Sequence, residues 1–245
     1  MTTALILSGG TGTRLGADIP KQYIEIGGKT ILAYCLEMLF NHPEIDAVQI
    51  VADTAWQQTI LEEMNRLYRS DGKEGECGAE CAGMRKFRGF SRPGATRQLS
   101  ILNGLEDIRA YAAASDLVMI HDAARPCLTA DLVSQCLKAA GGHDGVLPVL
   151  PMKDTVYLSE TGKTVSSLLA RSQLFAGQAP EFFVLGPYYE ANVRLLPEKI
   201  LEINGSTEPA ILAGLDVAMI PGDEGNFKIT TKADLERFRQ ICGGC

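Results

Sequence analysis

Glycines and two cationic side chains follow the first apolar run of the chain. Residues 8–21 read SGGTGTRLGADIPK, directly after the apolar run 4–7. Glycines at the end of a strand offer backbone N–H groups to phosphate oxygens, because a residue without a Cβ allows close approach. Arg14 and Lys21 could therefore clamp a polyphosphate from two sides. The alternative is a tight turn with two solvated cations, which the Pro20-Lys21 pair at this distance disfavours.

Two common nucleotide-binding patterns do not fit this loop. The dinucleotide pattern G-x-G-x-x-G, started from Gly10, needs a glycine where the chain has Leu15. No G-x-x-x-x-G-K-[ST] run occurs there either. An NAD-dependent oxidoreductase and a P-loop enzyme are both disfavoured, and a phosphate-binding loop of another type is left.

Other polar residues follow apolar runs that have the length of strands. His121-Asp122 follows the run 116–120, and Lys153 follows the run 145–149. Ligands of parallel sheets bind at the carboxyl ends of the strands. We therefore expect the glycine loop, Asp122 and Lys153 to meet at one edge of a sheet.

Alternating strand and helix patterns position these residues. Such alternation predicts βαβ units and a mainly parallel sheet with helices on both faces. The predicted strands are 4–7, 47–52, 116–120 and 145–149, and the predicted helices are 30–41, 55–69, 99–114 and 129–140. The glycine-rich segment 70–94 is interpreted as a solvated surface excursion in preference to a basic binding patch. Segment 156–172 alternates around a glycine turn and is predicted to form a hairpin.

Composition narrows the functional class. The 245 residues are 46% hydrophobic and 22% charged, which is typical of a globular chain. The formal net charge of −7 disfavours a nucleic-acid-binding protein, since phosphate backbones attract basic surfaces. No apolar run approaches the roughly 20 residues that span a membrane, and no signal peptide is evident. We expect a cytoplasmic protein without nucleic-acid or membrane partners.

The cysteines number seven and are mostly isolated. Free thiols are favoured over a disulfide set in a reducing compartment. The Cys77/Cys81 and Cys242/Cys245 spacings could each supply two zinc ligands, but structural zinc is the weaker interpretation.

Six segments, in order along almost the whole chain, resemble the IspD-type cytidylyltransferases. They are SGGTGTRLGADIPKQYIEIGGKTIL from residue 8, GATRQLSILNGL from 94, IHDAARPCL from 120, PMKDTV from 151, GQAPEFF from 177 and GDEGNFKITTKADL from 222. The resemblance implies a single Rossmann-like three-layer α/β/α nucleotidyltransferase domain over 1–245. It also implies a protruding β-arm at about 150–172 through which a homodimer forms.

The resemblance further implies a reaction and its substrates. CMP would pass from CTP to a small phosphorylated polyol, with release of pyrophosphate and with Mg²⁺ or another divalent cation as cofactor. The family includes enzymes for 2-C-methyl-D-erythritol 4-phosphate and for ribitol 5-phosphate. The alternative is a paralogue that binds CTP and uses another sugar-phosphate acceptor or does not transfer.

Site residues follow from the same resemblance. The implied catalytic residues are Arg14, Lys21 and Lys228. The implied nucleotide-binding residues are Ser8, Gly9, Gly10, Gly12, Thr13, Gly94, Ala95 and Ser100. The implied acceptor-binding residues are Asp122, Arg125, Lys153 and Lys228, with Asp122 also the implied metal ligand. His121 and Arg97 are both interpreted as structural, and for His121 the alternative is a general base.

Three departures from the family pattern cluster on the acceptor side. Lys153 stands where the family commonly has arginine, and Ala179 replaces the threonine of its Q-T-P-Q segment, here Gln178-Ala179-Pro180-Glu181. The T-D-[DE]-A stretch appears as STEPA at 206–210. The identity of the acceptor is therefore left open, whereas the class of reaction is not.

Overall fold

Twelve strands are present in the computed structural model of the protein, which describes residues 1–10, 19–69 and 85–243, without the side chains of 68 and 69. In chain order they are β1 (Thr2–Leu7), β2 (Glu25–Ile26), β3 (Lys29–Thr30), β4 (Ala47–Val51), β5 (Phe87–Ser91), β6 (Leu117–Asp122), β7 (Gly145–Pro151), β8 (Tyr157–Leu158), β9 (Ser167–Leu168), β10 (Phe175–Gly177), β11 (Glu181–Val184) and β12 (Val217–Pro221).

Eight of these strands form the central sheet. From one edge, the order is β12, β7, β11, β6, β1, β4 and β5, and β10 pairs with the far end of β7. Strands β1, β4, β5, β6, β7 and β12 run in one direction, whereas β10 and β11 run against them. The predicted mainly parallel sheet is confirmed.

Helices cover both faces of the sheet. They are α1 (Ile31–Asn41), α2 (Thr54–Arg69), α3 (Arg97–Ile108), α4 (Ala130–Ala139), α5 (Leu185–Val193), α6 (Glu208–Leu212) and α7 (Lys232–Gly243). Alternate residues of β1 point to opposite faces, so Ala4 and Ile6 pack with α1, α2 and α4, while Leu5 packs with α3, α5 and α6. This three-layer α/β/α arrangement confirms the predicted fold class.

The segment predicted as a solvated excursion contains a strand of the sheet. Residues 70–84 lie outside the described part, but β5 pairs with β4 at the sheet edge and buries Ser91. An edge strand buries few side chains, and Gly89 breaks its alternation, so its sequence pattern is weak. The interpretation of 87–91 as surface loop is wrong.

Helix α3 also differs from the prediction of 99–114. It begins at Arg97, where the Thr96 hydroxyl accepts a hydrogen bond from the Leu99 N–H, and it ends at Ile108. The apolar periodicity continues to Tyr111, but residues 109–111 form a turn. The other predicted helices and strands agree with the structure to within one or two residues at most of their ends.

The predicted hairpin protrudes from the sheet. Strands β8 and β9 pair with each other and lie in a separate two-stranded sheet. Its apolar side chains are exposed, including Val165 at 66% and Leu168 at 64%. No helix in the described part of the chain is long and apolar enough to cross a membrane.

Candidate active site

A cleft of about 440 Å³ lies at the carboxyl ends of β1, β4 and β6. Segments 7–10, 21–22, 94–100, 122–124 and 228–230 contribute to its walls. The start of the glycine loop, at Gly9 and Gly10, and Asp122 therefore meet at one edge of the sheet, as expected. Lys153 does not line this cleft as far as the structure describes it.

The start of the glycine loop is held by the turn at Lys21–Tyr23. The Gln22 amide donates hydrogen bonds to the carbonyl oxygens of Ser8 (2.7 Å) and Gly10 (2.8 Å). The Ser8 hydroxyl donates to the Tyr23 hydroxyl at 2.9 Å, and the Tyr23 ring stacks on Trp56. The predicted residues Gly9 and Gly10 line the cleft, while Ser8 is buried behind them. The predicted Gly12, Thr13 and Arg14 lie outside the described residues.

The segment 94–100 forms the opposite wall. The Ser100 hydroxyl donates to the Thr96 carbonyl oxygen at 2.9 Å and accepts the Gly94 N–H at 2.9 Å. Gly94, Ala95 and Ser100 all line the cleft, and their role in nucleotide binding stays a prediction. The N-terminus of α3 stands beside them, and this end of a helix favours negative charge.

Three cations surround the carboxylate of Asp122 at the end of β6. Arg97 Nε donates to Oδ1 at 3.1 Å, Lys228 Nζ donates to Oδ2 at 2.8 Å, and Arg125 Nε lies 4.0 Å from Oδ2. Burial opposes ionisation of Asp122, but the charges of Arg97, Lys228 and Arg125 together outweigh it and lower the pKa well below its usual range. The Asp122 group is therefore an anion that holds several cations beside the cleft.

The implied role of Asp122 as a metal ligand stays a prediction. Both carboxylate oxygens already accept hydrogen bonds from cations, and each carboxylate oxygen has two lone pairs. Among the described residues, no group of three histidine, cysteine or acidic side chains is close enough to hold a metal. The described residues instead suit anions, because Lys21, Arg97 and Lys228 converge on the cleft.

Lys228 lies on an extended segment that leads into α7. The next carbonyl, that of Ile229, accepts a hydrogen bond from Lys21 Nζ at 2.6 Å. Thr231 and Asp234 form a reciprocal cap at the start of α7, since the Asp234 carboxylate accepts the Thr231 N–H (2.8 Å) and the Thr231 hydroxyl accepts the Asp234 N–H (3.2 Å). The cap fixes where this segment enters the helix.

Two predicted acceptor residues lie away from the surface of the cleft. Arg125 is largely buried behind Asp122 and donates to the Asn226 carbonyl oxygen at 2.7 Å. Lys153 is exposed at the base of the arm and forms an ion pair with Glu224. Their role in binding an acceptor stays a prediction.

His121 is fully buried between the sheet and α1. Its Nε2 lies 3.3 Å from the Arg125 carbonyl oxygen. Burial and the charges of Arg125 and Lys228 lower its pKa to about 4, although Asp122 opposes the shift. This position supports the structural interpretation of His121 over a general base.

The sequence analysis interpreted Arg97 as a structural residue and missed its place at the cleft. Its guanidinium lines the cleft and joins Asp122 to the Ser206 hydroxyl, which NH1 contacts at 2.6 Å. Ser206 in turn donates to the buried Glu181 carboxylate at 2.7 Å. Arg97 and Glu181 fall in segments that resemble the family, whereas Ser206 lies in the stretch 206–210 that departs from its pattern.

Comparison with known proteins identifies the family of the chain. The family model described as IspD, 2-C-methyl-D-erythritol 4-phosphate cytidylyltransferase, matches residues 2–243. The chain belongs to the IspD family. The predicted membership of a nucleotidyltransferase family is thereby confirmed.

Individual IspD relatives are similar over nearly the whole chain. A 2-C-methyl-D-erythritol 4-phosphate cytidylyltransferase of Geobacter metallireducens (strain ATCC 53774 / DSM 7210 / GS-15) is 33% identical over 235 residues, which cover 95% of this chain and 93% of the relative. A crystal structure of the enzyme of that name from Thermus thermophilus is 26% identical with a TM-score of 0.71, covering 99% of this chain and 100% of the other.

Other IspD relatives are longer. The bifunctional enzyme IspD/IspF of Bradyrhizobium sp. (strain ORS 278) is 34% identical over 236 residues, which are 96% of this chain and 55% of the relative. The chain thus spans about half the length of several curated relatives that it matches.

Proposed function

We propose that the chain transfers CMP from CTP to a small phosphorylated polyol and releases pyrophosphate. The observation that carries this proposal is the convergence of Lys21, Arg97 and Lys228 on the cleft that the 94–100 segment also lines. A cleft that combines cationic side chains with backbone groups suits a nucleoside triphosphate, whose phosphates are anionic and whose base is neutral.

The 94–100 segment supplies a means of selecting cytosine. The only proton of the Ser100 hydroxyl is donated to Thr96 and one lone pair accepts the Gly94 N–H, so one lone pair remains on this oxygen at the cleft wall. That lone pair can accept from the exocyclic amino group of cytosine but cannot donate to the corresponding carbonyl of uracil. The arrangement therefore favours CTP over UTP.

The cations suit the chemistry at phosphorus. An oxygen of the acceptor's phosphate attacks the α-phosphorus of CTP, the bond from that phosphorus to the bridging oxygen breaks, and pyrophosphate leaves with the electron pair. Lys21, and by the resemblance Arg14, would stabilise the charge on the α-phosphate and the leaving group. No general base is required, because a phosphate monoester is largely ionised near neutral pH.

The acceptor is the less defined substrate. The family name favours 2-C-methyl-D-erythritol 4-phosphate, and the departures at Lys153, Ala179 and 206–210 leave a related alditol phosphate such as ribitol 5-phosphate as the alternative. Asp122 and Lys228 line the cleft, so they are the residues best placed to contact it. The homodimer through the arm, the cytoplasmic location and the divalent cation stay predictions.

Pyrophosphate release tests the proposal. CTP, UTP, ATP and GTP are each combined with 2-C-methyl-D-erythritol 4-phosphate, ribitol 5-phosphate and other sugar phosphates, with Mg²⁺ and with a chelator. We expect release with CTP and one acceptor. Release with another nucleotide alone would refute the cytidylyl assignment. CTP binding by calorimetry without release from any pair would instead indicate a paralogue that binds without transfer.

A further inference from the structure

Glu181 is a buried carboxylate that no part of the proposed chemistry uses. It begins β11, and its residue surface is 8% exposed. Oε1 accepts the Ser206 hydroxyl at 2.7 Å, and Oε2 accepts the Thr207 hydroxyl at 2.6 Å. Both carboxylate oxygens therefore act as acceptors, and the group holds the turn that precedes α6.

The Ser206 hydroxyl connects Glu181 to the cleft. A hydroxyl carries one proton, and Ser206 donates it to Glu181, so the Ser206 oxygen is left to accept from Arg97 NH1 at 2.6 Å. Arg97 then donates through Nε to Asp122 Oδ1. Glu181 thus sets the direction of a hydrogen-bond chain that ends on the carboxylate at the cleft.

The charges of the two carboxylates strengthen this hydrogen-bond chain. Burial opposes the charge on Arg97, but the carboxylates of Asp122 and Glu181 outweigh it and raise the Arg97 pKa. Without Glu181, the buried side of the guanidinium would face a neutral group, and Asp122 would be the nearest remaining counter-charge for three cations. Hydrogen bonds between ionised partners are stronger than neutral ones, so the loss would weaken the hold on Arg97.

We propose that Glu181 is a positioning residue for the acceptor end of the cleft, acting on Arg97 through Ser206. This inference rests on the proposed function. It also links two segments of the family pattern, since the glutamate at the end of the segment matching Q-T-P-Q accepts a hydrogen bond from the serine that begins STEPA. With Arg97 fixed on Oδ1, Asp122 keeps Oδ2 toward Lys228 and presents one defined surface to the acceptor.

Kinetics of matched variants test the positioning role. Glu181→Gln keeps the shape but removes the charge, and we expect the KM for the acceptor to rise about tenfold while the KM for CTP is unchanged. Ser206→Ala removes the hydroxyl in the middle of the hydrogen-bond chain and should raise the KM for the acceptor in the same way. In the double variant the defect should not exceed that of Ser206→Ala alone, because both changes interrupt one chain.

Tyr188→Phe is the control. The Tyr188 hydroxyl donates to the Ser206 carbonyl oxygen at 2.7 Å. Its loss perturbs the same turn but removes none of the hydrogen bonds that connect Glu181, Ser206, Arg97 and Asp122. We expect this variant to keep the KM values of the wild type. A Tyr188→Phe defect equal to that of Glu181→Gln, or a parallel rise in the KM for CTP, would show that the turn is merely structural.

An NMR measurement separates this inference from the proposed function. In ¹⁵N-labelled protein, the Arg97 Nε–H, assigned through its absence in Arg97→Lys, should exchange slowly with solvent. We expect fast exchange in Glu181→Gln and Ser206→Ala and slow exchange in Tyr188→Phe, whether or not any acceptor is turned over. Slow exchange in Glu181→Gln would overturn the positioning role, whereas absence of wild-type turnover would refute only the proposed reaction.

Discussion

The Lys21 ammonium group donates a hydrogen bond of 2.6 Å to the Ile229 carbonyl oxygen, although 208 residues separate the two in the chain. This bond joins the turn after the glycine loop to the extended segment that leads into α7. Lys228, the neighbour of Ile229, binds Asp122 on the same side of the cleft. The first and last segments of the family pattern are therefore held together at the cleft.

Replacement of Lys21 tests its part in catalysis. For Lys21→Met we expect kcat for pyrophosphate release to fall by about 10²-fold or more, because a positioned charge that stabilises the transition state is lost. Rates are measured at saturating CTP and acceptor. Lys138→Met, on the exposed side of α4, is the control and should keep the wild-type rate.

The melting temperature distinguishes two effects of the Lys21 substitution. Its bond to Ile229 is also lost, so a small decrease in stability is expected together with the fall in kcat. A normal kcat in a folded Lys21→Met protein would contradict the proposed catalytic role.

Ser100 is predicted to decide between cytosine and uracil. We expect Ser100→Ala to raise the KM for CTP by about tenfold and to reduce the preference for CTP over UTP, because the acceptor for the cytosine amino group is removed. Asn103→Ala is the control. Asn103 lies on the same helix, and its side-chain amide donates to the Arg92 carbonyl oxygen away from the cleft. That control should keep the wild-type preference, and an unchanged preference in Ser100→Ala would oppose the proposed readout.

Sequence patterns were sufficient for the sheet but not for the contacts of the site. The apolar runs that became β1, β4, β6 and β7 are buried on both faces, so continuous hydrophobicity indicates them. Strand β5 was not predicted, because an edge strand with a central glycine lacks a continuous hydrophobic run. Its place in the sheet depends on pairing with β4, which is a long-range contact.

The partners of Arg97 could not be predicted for a similar reason. Its position one turn before Ser100 is evident in the sequence, but Ser206 and Glu181 reach it from other parts of the chain. A lone arginine at the start of a helix is usually a surface residue. Only the fold shows that this guanidinium lies between two carboxylates.

Gly94 is predicted to tolerate no side chain. A Cβ there would lie 2.4 Å from the Leu99 Cβ and 2.8 Å from the Ser100 nitrogen, so the segment would have to move. We expect Gly94→Ala to weaken CTP binding by at least about tenfold, as measured by calorimetry, because the segment 94–100 forms one wall of the cleft. Gly141→Ala, where a Cβ would be 3.9 Å from the Lys138 carbonyl oxygen, should bind CTP normally.

Asp234 is predicted to stabilise the protein in a pH-dependent way. Partial burial opposes its ionisation, but hydrogen bonds from Thr230 and Thr231 outweigh this and lower its pKa to about 2. We expect Asp234→Ala to reduce the free energy of unfolding by about 1 kcal/mol at pH 7, because a helix cap is lost. Urea denaturation of both proteins measures the difference.

The sign of the pH dependence follows from the two pKa values of Asp234. The pKa of an unfolded aspartate is about 3.9, above the folded value, so the carboxylate contributes its full stability above that pH. The contribution is lost as the pH falls through the folded pKa of about 2. The difference between wild type and Asp234→Ala should therefore be constant from neutral pH to about pH 5 and shrink on further acidification. A difference that grows in acid would show that Asp234 acts by some means other than its ionised cap.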